Sequence, residues 1–163
     1  MRYVTQTRAR RATFLMIACL FGIGAGAMPA LANEIDTYTV DGIALGGTDP
    51  VSYFTGGAPA QGSPDITAEQ DGVTWRFATA ENRDAFAADP DKYRPAYGGW
   101  CAYGVAKGAK ATTIPDAWTI IDGKLYLNYS RIVQGLWSID SAGYIEKADA
   151  AWPEIKDVPA GDL

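Results

Sequence analysis

The fold is decided by the stretch Ile66-Thr-Ala-Glu-Gln-Asp-Gly-Val-Thr-Trp-Arg-Phe-Ala-Thr79. Within it, two extended segments, Ile66 to Gln70 and Val73 to Ala78, flank Asp71-Gly72, a dipeptide that strongly favours the two-residue turn of a β-hairpin. Trp75 lies in the second segment, and we interpret its ring as part of the core, since large aromatic side chains dominate the cores of small domains. The sequence therefore predicts a hairpin whose second strand is anchored in the interior.

A helix is predicted to follow this hairpin directly. Thr79 is a suitable N-cap, and the helix then runs from Ala80 to about Ala88. Phe86 lies on its inner face. Asp89-Pro90 ends the helix, because the residue before a proline avoids the helical conformation.

A single helical turn is predicted near Asp49, after a short extended start at Tyr38 to Gly42. Asp49 is the N-cap, Pro50 takes the first helical position, and the turn runs to Phe54. Residues 56–64 are rich in glycine, proline and small side chains, which indicates a loop. The Asp49 carboxylate could also act as an acid or base, but the capping role is sufficient to explain it.

A second hairpin is predicted after a glycine-rich stretch. Its strands, Trp118 to Asp122 and Lys124 to Tyr129, flank Gly123. Ser130 is then a suitable N-cap for a helix from Arg131 to Trp137.

The last predicted helix begins at Asp140 or Ser141 and runs through Ala151. Pro153 is expected to stop it, because proline removes a backbone hydrogen bond and clashes with the preceding turn. Residues 155–163 are predicted to form a flexible tail.

An export signal is predicted at residues 1–32. A positive head without acidic residues precedes an apolar run from Thr13 to Met28, and Ala30-Leu31-Ala32 supplies the small residues expected before cleavage at Asn33. A membrane anchor is the alternative, but the run contains glycines and is shorter than the ~20 apolar residues of a span. Arg10-Arg11 leaves general secretion and twin-arginine export both open. We expect a periplasmic or secreted protein without a stable membrane span after cleavage.

The remaining chain is predicted to form one acidic α+β domain over residues 33–154, with two β-hairpins and short helices. Cleavage would leave 131 of the 163 residues, enough for one domain with its own core. Removing four of the 14 basic residues leaves ten against 19 acidic ones, a net charge of −9. Such a charge repels phosphate backbones, so nucleic acid is not an expected partner.

The residue types that are missing restrict the chemistry. The chain has no histidine, and Cys101 is the only cysteine outside the predicted signal, which contains Cys19. An internal disulfide is therefore excluded from the exported chain, as are Ser-His-Asp and Cys-His catalysis. A zinc or copper site made from cysteine and histidine is excluded as well. We assign no catalytic residue, and a role other than that of an enzyme is favoured.

The order of these elements resembles a YHS domain. The resemblance rests on Asp49-Pro-Val-Ser-Tyr53, the hairpin strand Gly72 to Ala78, Asn82-Arg-Asp-Ala-Phe86 and Asp89-Pro-Asp-Lys-Tyr93. It is strongest over residues 43–95. Residues 96–153 are similar to the extension of a secreted subgroup of this family.

The resemblance implies a link to metal handling, because YHS domains accompany heavy-metal transporters. In the metal-associated members, cysteines follow Asp-Pro-Val and the aromatic strand, whereas this chain has Ser52 and Ala78 at the corresponding positions. The histidine of the family name is also missing. The resemblance therefore implies the family's fold but not its thiolate site.

The stretch Ala96 to Gly108 is the candidate functional site. Gly98-Gly99 is predicted to open a short helix with Cys101 in its first turn, where backbone N–H groups would stabilise a thiolate. Such a thiol could ligate a soft metal ion, react with an oxidant or pair with another molecule. Alternatively, Cys101 is a small buried hydrophobic residue. The candidate ligand-binding residues are Tyr97, Trp100, Cys101, Tyr103 and Lys107, and Cys101 is also the candidate metal ligand.

Three functions remain open on the sequence alone. The first is a small binding module of the cell envelope, whose partner is an unknown small ligand or an envelope protein and whose cofactor, if any, is unknown. The second is a thiol-dependent redox or transfer activity at Cys101, which would need a thiol from another molecule. The third is a structural or interaction domain without chemistry. The five tryptophans would line a pocket in the first and only pack in the third. We favour the first.

Overall fold

The computed structural model describes Met1 and residues 36–163. Apart from Met1, the predicted export signal lies outside the described residues, as does Cys19. Small sheets with antiparallel strand pairs combine with six α-helices in the described part, which confirms the predicted α+β fold. None of the helices described is long and apolar enough to cross a bilayer.

The strands form three small sheets. In chain order the described strands are β1 (Thr39–Val40), β2 (Ile43–Ala44), β3 (Thr48–Asp49), β4 (Ala60–Gln61), β5 (Ser63–Gln70), β6 (Val73–Phe77), β7 (Trp118–Ile121) and β8 (Lys124–Leu127). The largest sheet has the order β1-β2-β6-β5. Its β2 and β6 run parallel, while its other neighbours are antiparallel. β3 pairs with β4, and β7 pairs with β8.

Three Asp-Gly dipeptides form the hairpin turns. The φ values are 53° and 77° at Asp71-Gly72 and 50° and 74° at Asp122-Gly123. Two consecutive positive φ values are the type I′ geometry that matches strand twist, so both predicted hairpins are confirmed. Asp41-Gly42, with φ values of 53° and 75°, turns β1 back onto β2. This third hairpin was not predicted, because strands of two residues are too short to show a pattern.

The predicted caps start three of the helices. The helices are α1 (Ser52–Thr55), α2 (Ala80–Ala88), α3 (Pro90–Tyr93), α4 (Ala102–Val105), α5 (Arg131–Ser138) and α6 (Ser141–Ile155). Thr79, Ser130 and Asp140 each accept a hydrogen bond from the backbone N–H three residues later, at 3.1, 3.2 and 3.1 Å. These side chains satisfy N–H groups that have no partner inside the helix. The N-terminal boundaries of α2, α5 and α6 are therefore confirmed.

One predicted helix end needs correction, and another has a second role. Pro153 does not stop α6, which continues to Ile155. Trp152 and Ile155 both pack in the core, and we attribute the extra turn to this packing, which offsets the hydrogen bond lost at proline. Asp89 ends α2 as predicted, but its carboxylate also accepts a hydrogen bond from Lys92 N at 3.2 Å and starts α3.

The predicted loop over residues 56–64 is wrong in its second half, which contains β4 and the first residues of β5. β4 pairs with β3 through only two residues on each strand. A Cβ atom at Gly62 would lie 2.5 Å from the backbone carbon of Arg76, so glycine is needed where these chains approach closely. Glycine here indicates close packing of strands rather than a loop.

The β7–β8 hairpin lies between two groups of apolar side chains, because successive side chains of a strand point to opposite faces. Leu125 and Leu127 face the group built on the largest sheet, which we call the sheet cluster. Tyr126 and Ile121 face the group built on α4, α5 and α6, which we call the helix cluster. The hairpin is thus covered on both faces and joins the two halves of the domain.

The Asp49 carboxylate is fully buried and connects three segments of the sheet cluster. Its Oδ1 accepts hydrogen bonds from Val51 N at 2.8 Å and Ser52 N at 3.3 Å, as expected for a cap. Its Oδ2 accepts from Ala78 N at 2.8 Å and from Asn82 Nδ2 at 2.6 Å. The N-cap of α1 is Val51 and the helix begins at Ser52, so the predicted N-cap position of Asp49 and the predicted start at Pro50 are wrong, although the Asp49 carboxylate does accept from the first N–H groups of this turn. The same residue also fixes the end of β6 to the start of α2.

The C-terminal residues contact Lys110, whose side chain is largely buried. The Nζ atom donates hydrogen bonds of 2.7 Å to the carbonyl oxygens of Lys156 and Val158. Burial lowers the pKa of this ammonium group from its usual value. The flexibility of the tail stays a prediction.

Candidate functional site

A cavity of about 560 Å³ opens between the helix cluster and the start of the described chain. Its walls come from β6, α3, the turn Ala96–Gly99, the β7–β8 hairpin and α6, together with the segment before β1. Four aromatic side chains contribute to the lining: Trp75, Tyr97, Tyr126 and Trp152. Segments that are distant in sequence therefore meet at one concave surface.

Tyr97 is the candidate residue that the structure places in this cavity. Its backbone is left-handed, with φ of 54°, which is uncommon for a residue with a side chain and is often found at functional sites. The hydroxyl group donates a hydrogen bond of 2.9 Å to Asp149 Oδ1 on α6. The ring centroid lies 6.0 Å from that of Tyr126 and 5.9 Å from that of Trp152. The ring is thus held by contacts on several sides.

The glycines after Tyr97 allow close packing against the start of the described chain. A Cβ atom at Gly98 would lie 1.7 Å from the carbonyl oxygen of Asp36, and one at Gly99 would lie 2.3 Å from Leu45 Cδ2. Both glycines also have positive φ, 60° and 88°. No other residue fits there without rearrangement. These glycines are therefore explained by close packing, and Gly98 lines the cavity together with Tyr97.

Charged side chains lie around the aromatic lining, and acidic ones predominate. The carboxylates are Asp36, Asp91, Asp122 and Asp149, and the cations are Arg94 and Lys124, so the formal charge of the lining is −2. Arg94 pairs with Asp91 at 2.6 Å and also with Asp71. Lys124 donates a 3.0 Å hydrogen bond to the carbonyl oxygen of Asp91. Both cations are therefore already engaged within the protein.

Two carboxylates at the cavity have no cationic partner within the described residues. Asp149 accepts its hydrogen bond from the neutral phenol of Tyr97. Asp122, in the β7–β8 turn, takes part in no ion pair or hydrogen bond of its side chain with the described residues. Negative charge is therefore left over on the side of the cavity formed by α6 and the hairpin turn.

The two tyrosines of the lining stay protonated at physiological pH. Burial is the main cause that raises the pKa of Tyr97, and the hydrogen bond to Asp149 and its charge add to it. Burial also raises the pKa of Tyr126, with further contributions from the charges of Asp149 and Asp122. Both effects disfavour a phenolate, since it would be a poorly solvated anion next to other anions.

Cys101 lies away from this cavity, and its side chain is only 1% exposed. It is the N-cap of α4, whereas the sequence predicted a position in the first turn of a helix opened by Gly98-Gly99. The sulfur accepts a hydrogen bond from Tyr129 N at 3.3 Å and lies 3.7 Å from Asn128 Oδ1. Cys101 therefore has the burial that the hydrophobic interpretation expects.

We predict that this thiol reacts slowly in the native protein. Because the sulfur is enclosed, a water-soluble disulfide reagent should modify Cys101 about 100-fold more slowly in buffer than in urea, where the chain is unfolded. The reagent releases a coloured thiolate, and the increase in its absorbance gives both rates. Native labelling as fast as that of the unfolded chain would show that the sulfur is accessible and would favour thiol chemistry.

The other three candidate residues lie outside the lining. Trp100 is half-buried, with its ring 5.2 Å from that of Tyr38. Tyr103 contacts Tyr144 with ring centroids 5.0 Å apart, and the exposed Lys107 lies 5.5 Å from the Tyr103 ring. The structure thus separates the five candidates: Tyr97 faces the cavity, Cys101 is enclosed, and the rest pack nearby.

Sequence reasoning missed most of the cavity. Asp149 and Trp152 are three residues apart, so they lie on the same side of a helix, and this spacing was a usable signal. Tyr126 was less visible, because it stands between Leu125 and Leu127 in what looks like a uniformly buried strand.

No group of three or more metal-ligating side chains comes together among residues 36–163. Comparison with protein family models, with curated proteins and with solved structures finds no match. The YHS resemblance therefore stays a prediction from the sequence.

Proposed function

We propose that this chain is a YHS-like binding module exported to the periplasm or beyond, whose ligand occupies the cavity lined by Tyr97. The observation that carries the proposal is the cavity itself. Its volume of about 560 Å³ lies in the range of small-molecule sites, and its lining combines four aromatic side chains with six charged ones that could orient a ligand. The left-handed backbone of Tyr97 adds support, because strained residues cluster at ligand sites.

The YHS resemblance gains support from the surroundings of Asp49. Ser52 and Ala78 stand where the metal-associated members carry cysteines, and here both backbone N–H groups donate to the Asp49 carboxylate. Two positions that are far apart in sequence thus lie together, as a shared site would require. We propose that this chain keeps that architecture and binds its ligand at the cavity instead.

Thiol chemistry has weaker support than binding. A redox or transfer role needs a sulfur that a second molecule can reach, and Cys101 is 1% exposed. A purely structural role needs no ligand and does not account for the cavity. We retain it as the outcome expected if no ligand is found.

The proposal predicts that the native protein carries a small molecule. The full-length chain, expressed with its own N-terminal segment and purified gently, should show a 1:1 non-covalent adduct in native mass spectrometry. Asp149→Trp places a large ring at an exposed position of the lining and should abolish the adduct. Glu146→Trp is the matched control, since Glu146 is an exposed residue of α6 outside the lining, and should keep it.

Each result has a defined meaning. Wild-type protein without any adduct would favour the structural domain. An adduct that survives Asp149→Trp would place the ligand elsewhere. Thermal unfolding of both variants checks that they fold, and loss of the adduct counts only with a cooperative transition like that of the control.

A further inference from the structure

We infer that the ligand of this cavity is a small organic cation, with an ammonium or guanidinium head and a hydrocarbon body. This inference rests on the proposed function, because it assigns a chemical class to the ligand of the same site. It follows from three properties of the lining: its surplus of negative charge, its electron-rich rings and its size.

The cavity lining keeps a surplus of negative charge after its internal ion pairs are formed. Arg94 pairs with the carboxylate of Asp91, whereas Lys124 donates to the Asp91 carbonyl oxygen and keeps its charge, so the four carboxylates and two cations of the lining leave a formal charge of −2. Asp122 and Asp149 keep their charges without a cationic partner within the described part of the chain. A cationic ligand would complete these pairs, whereas an anionic ligand would meet repulsion from both carboxylates.

The arrangement of the rings also favours a cation. The centroid of the Tyr97 ring lies 6.0 Å from that of Tyr126 and 5.9 Å from that of Trp152, so three aromatic rings of the lining lie next to one another. Faces of neutral tyrosine and tryptophan attract cations, and quaternary ammonium ions are commonly bound by such groups of rings. The combination of rings with nearby carboxylates favours a cation more strongly than either feature alone.

Lys110, a buried cation next to Trp152, does not remove this preference for a cationic ligand. Lys110 Nζ lies 5.6 Å from the Trp152 ring centroid, and it donates hydrogen bonds to two carbonyl groups of the C-terminal residues. Lys110 is not part of the cavity lining. Its position shows instead that the Trp152 ring already stabilises an ammonium group within this fold.

The volume of the cavity favours an organic ligand. A volume of about 560 Å³ greatly exceeds the space that a bare metal ion needs, and a head group alone would leave most of it empty. The rings and the side chain of Ile121 offer apolar surface for the remainder. An organic cation with a hydrocarbon body uses both parts of the cavity.

The test compares ligands of matched shape and different charge. Calorimetric titrations of the full-length protein would use choline, its uncharged isostere 3,3-dimethylbutan-1-ol, benzyltrimethylammonium and benzoate. We expect both cations to bind at one site, with the neutral isostere about tenfold weaker than choline and benzoate without measurable binding. Affinity for the cations should fall as salt is added, since exposed charges are screened.

Two charge-neutralising variants locate the effect. Asp122→Asn and Asp149→Asn keep the shape of the side chain and should each weaken binding of the cations about fivefold. Asn also tolerates the positive φ at position 122. The controls Asp65→Asn and Glu146→Gln remove one exposed charge outside the lining and should leave the affinity unchanged.

The outcomes separate this inference from the proposed function. If neither cation binds, if the neutral isostere matches choline, or if both cavity variants bind like wild type, the inference is wrong. A neutral or anionic adduct in native mass spectrometry would then leave the binding module standing with another ligand class. Absence of any adduct, together with silent titrations, would remove both.

Discussion

Asp49→Ala is expected to lower the free energy of unfolding by about 3–5 kcal/mol. The carboxylate is fully buried and accepts four hydrogen bonds from α1, the end of β6 and α2. Removing it leaves buried N–H donors without partners, and each such donor costs about 1–3 kcal/mol. Partial relaxation and entry of water keep the total below the sum of these costs.

Urea unfolding followed by tryptophan fluorescence measures this loss. The stability of Asp49→Asn should lie between that of Asp49→Ala and that of the wild type. The amide keeps one acceptor oxygen, but its NH₂ group faces N–H donors that need an acceptor. Asp65→Ala, at an exposed position of β5, is the matched control and should change the stability by less than about 0.5 kcal/mol. A loss below about 1 kcal/mol for Asp49→Ala would contradict the role of this carboxylate in joining the three segments.

Trp75→Ala is expected to cost roughly 3–5 kcal/mol of stability. The side chain is 2% exposed, and its ring centroid lies 5.1 Å from that of Phe86 on α2. The substitution removes a large apolar ring and leaves a cavity that the sheet cluster fills only partly. Since Trp75 also lines the cavity at Tyr97, we expect the substitution to act on folding first and on the proposed binding second.

Denaturant unfolding measures this effect, with Trp152→Ala as the comparison. Trp152 is only half-buried, so its removal should cost less stability while it weakens binding of the cations more. A loss of less than about 1 kcal/mol for Trp75→Ala would mean that this ring does not hold the hairpin to α2.

Local signals explain why much of the fold could be predicted. Asp71-Gly72 fixes its turn through the backbone preferences of two residues, and Thr79 and Ser130 cap the helices that follow them directly. Such features depend on neighbours within a few residues, so the sequence pattern contains them. Pro153 is a case in which the local signal fails. The helix continues through this proline because Trp152 and Ile155 pack against residues that are distant in sequence.

The cavity could not be predicted because its parts are distant in sequence. Asp36 and Trp152 lie at opposite ends of the described chain, and both contribute to the lining. The glycine-rich stretch contains Tyr97, which lines this cavity. The same stretch contains Cys101, and the sequence alone does not distinguish a lone cysteine in a functional site from one in a core. Its burial depends on Asn128 and Tyr129, which are 27 and 28 residues away.

The most direct test of the central claim follows the indole N–H signals of the tryptophans by NMR while choline is added. Trp152 lies in the cavity lining, Trp137 is buried outside it, and Trp100 lies next to Cys101 in the chain. The account predicts a saturable shift of the Trp152 signal with Trp137 unchanged, and loss of that shift in Asp149→Trp. A Trp152 signal that does not move, or a larger shift at Trp100, would contradict a cation site in the Tyr97 cavity.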